Sequence, residues 1–360
     1  MHRKKLLNLL AFFILSIAFQ VNAQHDTHED NNVETDLKTE IKKDIDHHIK
    51  DSHDFTFTYD KENNKYYGFS LPIILWDNGI QFFSSSKFHH GETVAESNGN
   101  YYKLFHSKIY KTDAEGTITL DDHDHPTNAK PIDFSITKSV MMIIITGILM
   151  LLLFGGLAKS FRKGPISTGA GRFFEPIIIY IRDDIAKPNI GDPQYKKFMP
   201  FLLTVFFFVW FLNLFGLTPL GVNVTGNITI TAALALLTFL ITQFSGNKNY
   251  WKHIFWMPGV PWPMKIILAP IELLGVFIKP FALMIRLYAN IMAGHVVLMS
   301  IIGLMFIFHN WLGSSLSFIL AFFLSIIELL VAALQAYIFT MLSALYFGFA
   351  VEDHEHEEAH

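Results

Sequence analysis

The chain has 360 residues, of which 51% are hydrophobic and only 17% charged, with a mean hydropathy of +0.31 and a formal net charge of −4. A soluble domain of this length is more polar, so composition points to an integral membrane protein, and the small negative charge gives no reason to expect nucleic acid as a partner. The absence of cysteine removes disulfides, thiolate metal sites and cysteine nucleophiles together.

Residues 1–23 read as a secretory signal. His2, Arg3, Lys4 and Lys5 form a basic head, and Leu6 to Phe19 form an apolar run. Val21-Asn22-Ala23 then places small residues for cleavage. At about 14 residues the run is short for a span, although an uncut anchor is the alternative. Residues 24–136 are polar and rich in His, Asp and Lys. Within them "FTFTYDKENNKYYGFSLPIILWDNGIQFF" alternates aromatic and β-branched residues, and Asp77-Asn78-Gly79 suits a hairpin turn. The expectation is a small β-containing region on the outer side, flanked by disordered sequence. His25, His28, His47, His48, His53, His123 and His125 offer metal ligands, but solvated polar sequence is the more economical reading.

The membrane part is expected over residues 137–352. One span runs from about Val140 to Leu157. Lys159, Arg162, Lys163, Arg172, Arg182, Lys187, Lys196 and Lys197 follow it, which places that segment in the cytoplasm. A secreted N-terminus followed by one crossing requires the same orientation. The glycines of "GPISTGAGR" lack the lysine and hydroxyl of a phosphate-binding loop, so nucleotide binding is not expected. Phe201 to Leu220 and Ile228 to Phe244 read as two further spans, joined by the uncharged outside turn "TPLGVNVTGN". The return, "SGNKNYWKHIFWMPGVPWPMK", carries Lys248, Lys252 and Lys265 and fits the inside.

Two long apolar stretches follow, Met264 to Phe308 and Leu316 to Val351, separated by "HNWLGSS", and an acidic tail, "EDHEHEEAH", closes the chain over residues 353–360 on the cytoplasmic side. About 45 helical residues reach roughly 67 Å, against a hydrocarbon core of about 30 Å, so the first stretch folds back or tilts by roughly 60°. Tilt is favoured, because between Leu283 and Val297 the only turn-type residues, Asn290 and Gly294, are isolated. The expected fold is an all-α polytopic membrane protein of about five crossing helices, ending in a long, strongly tilted hairpin.

Ionisable groups at membrane depth are costly and mark protein interiors or water paths. Here they are Glu272, Lys279, Arg286 and His295 in the first stretch and Glu328 in the second, with Asn290 and Gln335 as uncharged companions. At about 100° per residue, Arg286, Asn290, Ala293 and Gly294 share one helix face, with small residues where another helix can approach. Glu272 lies about 21 Å along the axis near the same stripe, and His295 points about 180° away from it. In an antiparallel hairpin, residues level with each other have nearly constant mean numbers. Arg286 with Gln335, and His295 with Glu328, both have means close to 311, which is Trp311 in the separating segment. The levels place a histidine–carboxylate pair toward the outer side, a lone carboxylate toward the inner side, and a permanently charged guanidinium between them. Imidazole and a carboxylate of raised pKa exchange protons near neutrality, whereas guanidinium does not. That pattern suits two proton paths separated by a barrier. A structural Arg286 paired with Glu272, and a His295 that only bonds two helices, remain the simpler alternatives.

"KPFALMIRLYANIMAGH" and "LQAYIFTMLSALYFGFA" resemble signature regions of subunit a of the F-type ATP synthase membrane sector, and "PIELLG", "FFVWFLNLFGLTP" and "FEPIIIYIRDDI" are similar to other stretches of that family. The resemblance covers about residues 137–352. It implies a stator with two offset half-channels, set against a rotating c-subunit ring and joined by the b-subunit peripheral stalk and other ATP synthase subunits. It implies that Arg286 is the essential fixed charge, that Asn290 and Gln335 lie near it, and that Glu272 belongs to the inward path. Asn213 and Pro280 are counted with Ala293 and Gly294 as helix-packing positions. No cofactor is expected, and the nucleotide chemistry belongs to other subunits. The implied location is a bacterial inner membrane, with the N-terminal region periplasmic and the C-terminus cytoplasmic. His295 and Glu328 stand where the commonly cited bacterial pattern has glutamate and histidine in exchanged order, as in mitochondrial members, and a pair at one level keeps its chemistry when swapped. The residues do not choose between proton and sodium, since the ion site lies mostly on the ring. The region before the first span is absent from typical members, and the resemblance says nothing about it. The alternative function is an ion-coupled secondary transporter, which would show inverted repeats and broken helices at a midplane site. A membrane-anchored sensor is a third reading, but it leaves the polar residues of the hairpin unexplained.

Overall fold

A computed structural model describes residues 51–60, 65–123, 125–163, 171–218, 222–257, 259–307 and 311–352. The expected signal over 1–23, four of the histidines (His25, His28, His47 and His48) and the acidic tail lie outside these residues. The region before the first long apolar helix forms β1 (Asp54–Asp60), β2 (Lys65–Ser70), β3 (Pro72–Trp76), β4 (Ile80–Ser84), β5 (Ala95–Ser97), β6 (Asn100–Phe105), β7 (Lys108–Thr112) and β8 (Ile132–Asp133). They make three small antiparallel sheets, β1-β2, β4-β3-β8 and β5-β6-β7. Alternation dictates the core: Ile73, Leu75 and Phe83 turn inward to meet Phe88, Ala95, Tyr102 and Ile109.

The β3–β4 hairpin closes at Asp77-Asn78-Gly79 as expected, with Trp76 opposite Ile80. Asn78 and Gly79 take the positive φ values, 50° and 141°, that such a turn demands. Asp77 ties the turn to the neighbouring sheet by accepting from the Tyr102 hydroxyl at 3.0 Å and from Lys111 Nζ at 2.7 Å. The Lys111 contact holds the Asp77 carboxyl below its ordinary pKa despite some burial. Burial, reinforced by Asp77, pushes the Tyr102 phenol up.

The expectation that the outer histidines are solvated fails at His53. It is 4% exposed and its Nε2 lies 2.9 Å from Asp133 Oδ2. Neither a pairing 80 residues distant nor its burial is legible in local composition. His123 and His125 are exposed, and their backbone N–H groups donate to the Asp121 carboxylate in a turn.

The membrane part consists of α1 (Lys138–Lys163), α2 (Gly171–Tyr180), α3 (Lys187–Ile190), α4 (Tyr195–Gly216), α5 (Ile228–Ser245), α6 (Lys248–Phe255), α7 (Trp262–Ile307) and α8 (Trp311–Val351), with a π-helical turn, Ile181–Ala186, joining α2 to α3. Five of them, α1, α4, α5, α7 and α8, are long and apolar enough to cross a membrane. Their exposed residues are large and apolar, for example Ile148, Leu151 and Leu152 on α1, as helices that face lipid must be. The central element is α8, which packs against both α4 and α7. Leu202, Val205, Phe207 and Val209 of α4 share one apolar core with Ala336, Phe339, Ala344 and Phe347 of α8, and Leu283 and Leu287 of α7 join it. Small residues on α8 set the approach distance, and a Cβ on Gly348 would overlap the Asn189 carbonyl oxygen.

The long helix α7 is unbroken over 46 residues, despite Pro270 and Pro280, which excludes the fold-back alternative. At 1.5 Å per residue it measures about 69 Å, and α8, with 41 residues, about 62 Å. Neither stands upright in a hydrocarbon core of about 30 Å. The expected separator "HNWLGSS" is mostly helical, because α8 begins at Trp311. Gly and Ser are tolerated in a first helical turn, so composition overstated the loop. The described residues of "TPLGVNVTGN" do connect α4 to α5 without a helix of their own, and Val222, Asn223, Val224 and Thr225 among them are buried, which the sequence announced only through the segment's lack of charge.

Candidate functional site

On α7, Leu283, Leu287, Ile291 and His295 recur every four residues and are all buried, whereas Arg286, Asn290 and Ala293 are exposed. The buried stripe faces α8 and α5, and at His295 it reaches the C-terminal end of α4. The other stripe carries the permanent cation on a surface that no described helix of the chain covers. Arg286 forms no ion pair or hydrogen bond with another described residue, so the structural pairing with Glu272 is not made.

His295 Nδ1 and Glu328 Oε1 are 3.0 Å apart, with only 6% and 7% of the residues exposed. The depth argument thus becomes a direct contact. Gly294 makes room for it, since a Cβ there would lie 3.1 Å from Glu328 Oε1. On the far side of the imidazole, His295 Cε1 lies 4.0 Å from where a Cβ of Gly216 would be.

Gln335 does not pair with Arg286, the residue that level-matching put opposite it. Its Oε1 accepts from Asn290 Nδ2 at 2.9 Å, one helical turn further along α7. The reason is the lean of helical side chains toward their own N-termini. In an antiparallel pair the two leans are opposed, so contacting residues carry higher numbers than level ones.

Asn213, expected only as a packing residue, braces three elements. Its Nδ2 donates to the Ala332 carbonyl of α8 at 3.3 Å, and its Oδ1 accepts from the Thr225 hydroxyl at 2.7 Å. Thr225 and Asn223 escaped the sequence reading because they sit in a segment taken for a turn.

Glu272 stands apart, 23 residues from His295 and so about 35 Å along α7. It borders a cavity of about 350 Å³ together with Asn249, Tyr250, His253, Lys279 and Glu352. A second, small cavity of about 20 Å³ shares Tyr250, Val276, Lys279 and Phe349 with it and is also lined by Pro280, Leu283 and Tyr346. Burial raises the Tyr250 phenol and the Glu272 charge adds to it, against the hydrogen bond with Gln243. Lys279 Nζ rests over the Tyr346 and Phe349 rings, 5.7 and 5.3 Å from their centroids, which stabilises a cation at this depth. The amphipathic α6 roofs the cavity because Asn247 closes the end of α8, its N–H donating to Ala350 O at 2.9 Å and its Nδ2 to Val351 O at 3.1 Å.

These features define a class: a multi-pass helical membrane protein whose two longest helices carry ionisable groups in two separate places, with an exposed cation between them. The chain belongs to the ATP synthase A chain family, whose model matches residues 139–348. It is 44% identical over 237 residues to ATP synthase subunit a 2 of Chlorobaculum tepidum, covering 63% of this chain and 66% of the relative. ATP synthase subunit a of an Anaeromyxobacter species is 39% identical, covering 70% and 63% of the two chains. ATP synthase subunit a 2 of Prosthecochloris aestuarii is 37% identical over 308 residues, covering 81% of this chain and 94% of the relative. The match thus spans about two thirds of the first and second of these relatives and nearly all of the third. A second model, described as Domain of unknown function (DUF8433), matches residues 44–134.

Proposed function

We propose that this chain is the stationary proton-conducting subunit of an F-type ATP synthase membrane sector. The observation that carries the reading is the exposed, unpaired Arg286 on an open face of α7, with the His295–Glu328 pair on one side and the Glu272 cavity on the other. A proton enters from the outside, passes through the pair and neutralises a carboxylate on a c-subunit ring seated against the Arg286–Asn290–Ala293 stripe. It rides the ring around and leaves through the cavity of Glu272. Arg286 keeps the passing carboxylate ionised and bars a direct route between the two paths. The pair exchanges its proton between imidazole and carboxylate, and Asn290 and Gln335 hold the two helices in register beside the cation. Nucleotide chemistry stays on other subunits, the b-subunit peripheral stalk fixes this one in place, and the N-terminal region faces the periplasm of a bacterial inner membrane. A secondary transporter would need a helix broken at midplane, and α7 and α8 are continuous.

The reading is tested by isolating the complex through a tag on this chain and sealing it in vesicles. The expected outcome is co-purification of a c ring and of ATPase subunits, with ATP-driven acidification that persists without sodium. A complex lacking the ring, or one that builds no proton gradient, overturns it. A finer test lies in Gly294→Ala. The added methyl displaces the Glu328 carboxylate by a few tenths of an ångström, so proton uptake is expected to slow several-fold while assembly is kept. Unchanged pumping rates would show that the close approach at Gly294 does not matter to the pair.

A further inference from the structure

The β-domain before α1 has no part in the reading above, yet it is built into the outer end of the membrane domain. The first turn of α1 is capped from a distance: the Lys138 N–H donates to Ser52 O at 3.0 Å, and the Ser139 N–H to Asp51 Oδ1 at 3.1 Å. The buried His53–Asp133 contact fastens the same corner, with the Ser135 N–H donating to Asp133 Oδ1 at 2.8 Å. Phe55 and Leu71, each 3% exposed, then share one apolar cluster with Met142 of α1, Leu212 of α4, and Val222 and Val224.

Residues 222–225 pass this contact inward. Val222 and Val224 meet the β-domain, while Thr225 donates to Asn213, and Asn213 donates in turn to Ala332, one helical turn from Glu328. The Val222 carbonyl and the His295 ring both border Gly216, lying 3.6 and 4.0 Å from where its Cβ would be. Two polar atoms in this neighbourhood, Asn223 Nδ2 and Glu328 Oε2, are buried with no hydrogen-bond partner among the described residues.

Resting on the proton-entry role of His295 and Glu328, we propose that the β-domain is a positioning clamp. It holds residues 222–225 against α4 and so sets the wall along which water and protons reach the pair. Phe55, Leu71 and Thr225 are its positioning residues. The match to the Prosthecochloris relative covers 81% of this chain, more than the membrane part alone supplies, so that relative shares part of the clamp region.

The test uses whole complexes in vesicles, with proton-driven ATP synthesis measured against the pH of the outer compartment. Leu71→Asp puts a charge into the joint and is expected to lower the rate about tenfold and to shift the outer pH profile. Thr225→Val is expected to shift the same profile by a smaller amount. Leu71→Ile and Thr225→Ser should restore it, and the dependence on inner pH, set at Glu272, should not move. On the helices that carry and pack the pair, Asn213, Asn290 and Gln335 are uncharged, and Arg286 stands nine residues before His295 on α7. The ionisable side chains at the joint, Asp51, His53, Asp54, Asp133 and Lys138, are unchanged in every variant. If Leu71→Asp fails to assemble, Leu71→Ala and Thr225→Val decide. Assembled variants with the wild-type outer profile overturn the clamp alone. A wild-type complex that takes up no protons overturns the clamp together with the function on which it rests.

Discussion

Arg286→Ala is expected to lower proton-driven ATP synthesis by at least about two orders of magnitude while leaving the complex assembled. Assembly survives because Arg286 makes no hydrogen bond or ion pair within the described chain and lies on the open side of α7, away from the Leu283–Leu287–Ile291 stripe that packs the hairpin. Function is lost because nothing else on that stripe is charged. A cation within a few ångströms lowers a carboxylate pKa by about 1 to 3 units, each worth about 1.4 kcal/mol. Without it a ring carboxylate passes protonated, the release step loses its drive, and protons leak between the two paths. Arg286→Lys should fail almost as badly, since a compact, strongly hydrated ammonium neither spreads its charge nor stays reliably protonated at low dielectric. The measurement is the rate of coupled synthesis beside the passive proton leak, in complexes whose subunit content matches wild type. Wild-type synthesis in such complexes would remove the fixed-charge role.

How far the sequence reveals this site depends on how local each signal is. The apolar runs that became α1, α4, α5, α7 and α8 are legible because lipid imposes length and composition residue by residue. The Asp77-Asn78-Gly79 turn is legible for the same reason, as its geometry is set by three adjacent residues. His295 and Glu328 were matched in depth from numbering alone, since an antiparallel pair of straight helices has one free parameter, the position of its turn. Depth did not tell which side chain Gln335 meets, because level-matching ignores the direction in which side chains lean, and its partner is Asn290. What stayed hidden is tertiary. Burial of Val222 and Val224 depends on Phe55 and Leu71, more than 150 residues away, and His53 is buried by Asp133. The cavity at Glu272 needs α6 to be pinned on α8 by Asn247, a contact spanning about 100 residues that no local pattern announces.

For the buried pair, His295→Ala and Glu328→Ala are each expected to slow proton uptake at least about tenfold, and the double variant to be little worse than either alone. The two side chains meet at 3.0 Å with almost no exposure, so either substitution removes the same buried contact. Removing His295 takes from the buried Glu328 carboxylate its contact at Oε1, while Oε2 already has no hydrogen-bond partner among the described residues. Removing Glu328 takes away the carboxylate that the His295 imidazole meets at 3.0 Å. Either loss therefore breaks the same step, which is why the losses should not add. Charge order along the contact matters less than the contact itself. The exchanged double variant, His295→Glu with Glu328→His, should work better than either single exchange, because each single exchange places two like groups in one pocket. The measurement is ATP-driven acidification and its reverse in vesicles, compared across all four corners of the cycle. Fully additive losses, or an exchanged variant no better than its singles, would mean that the two residues serve separate routes.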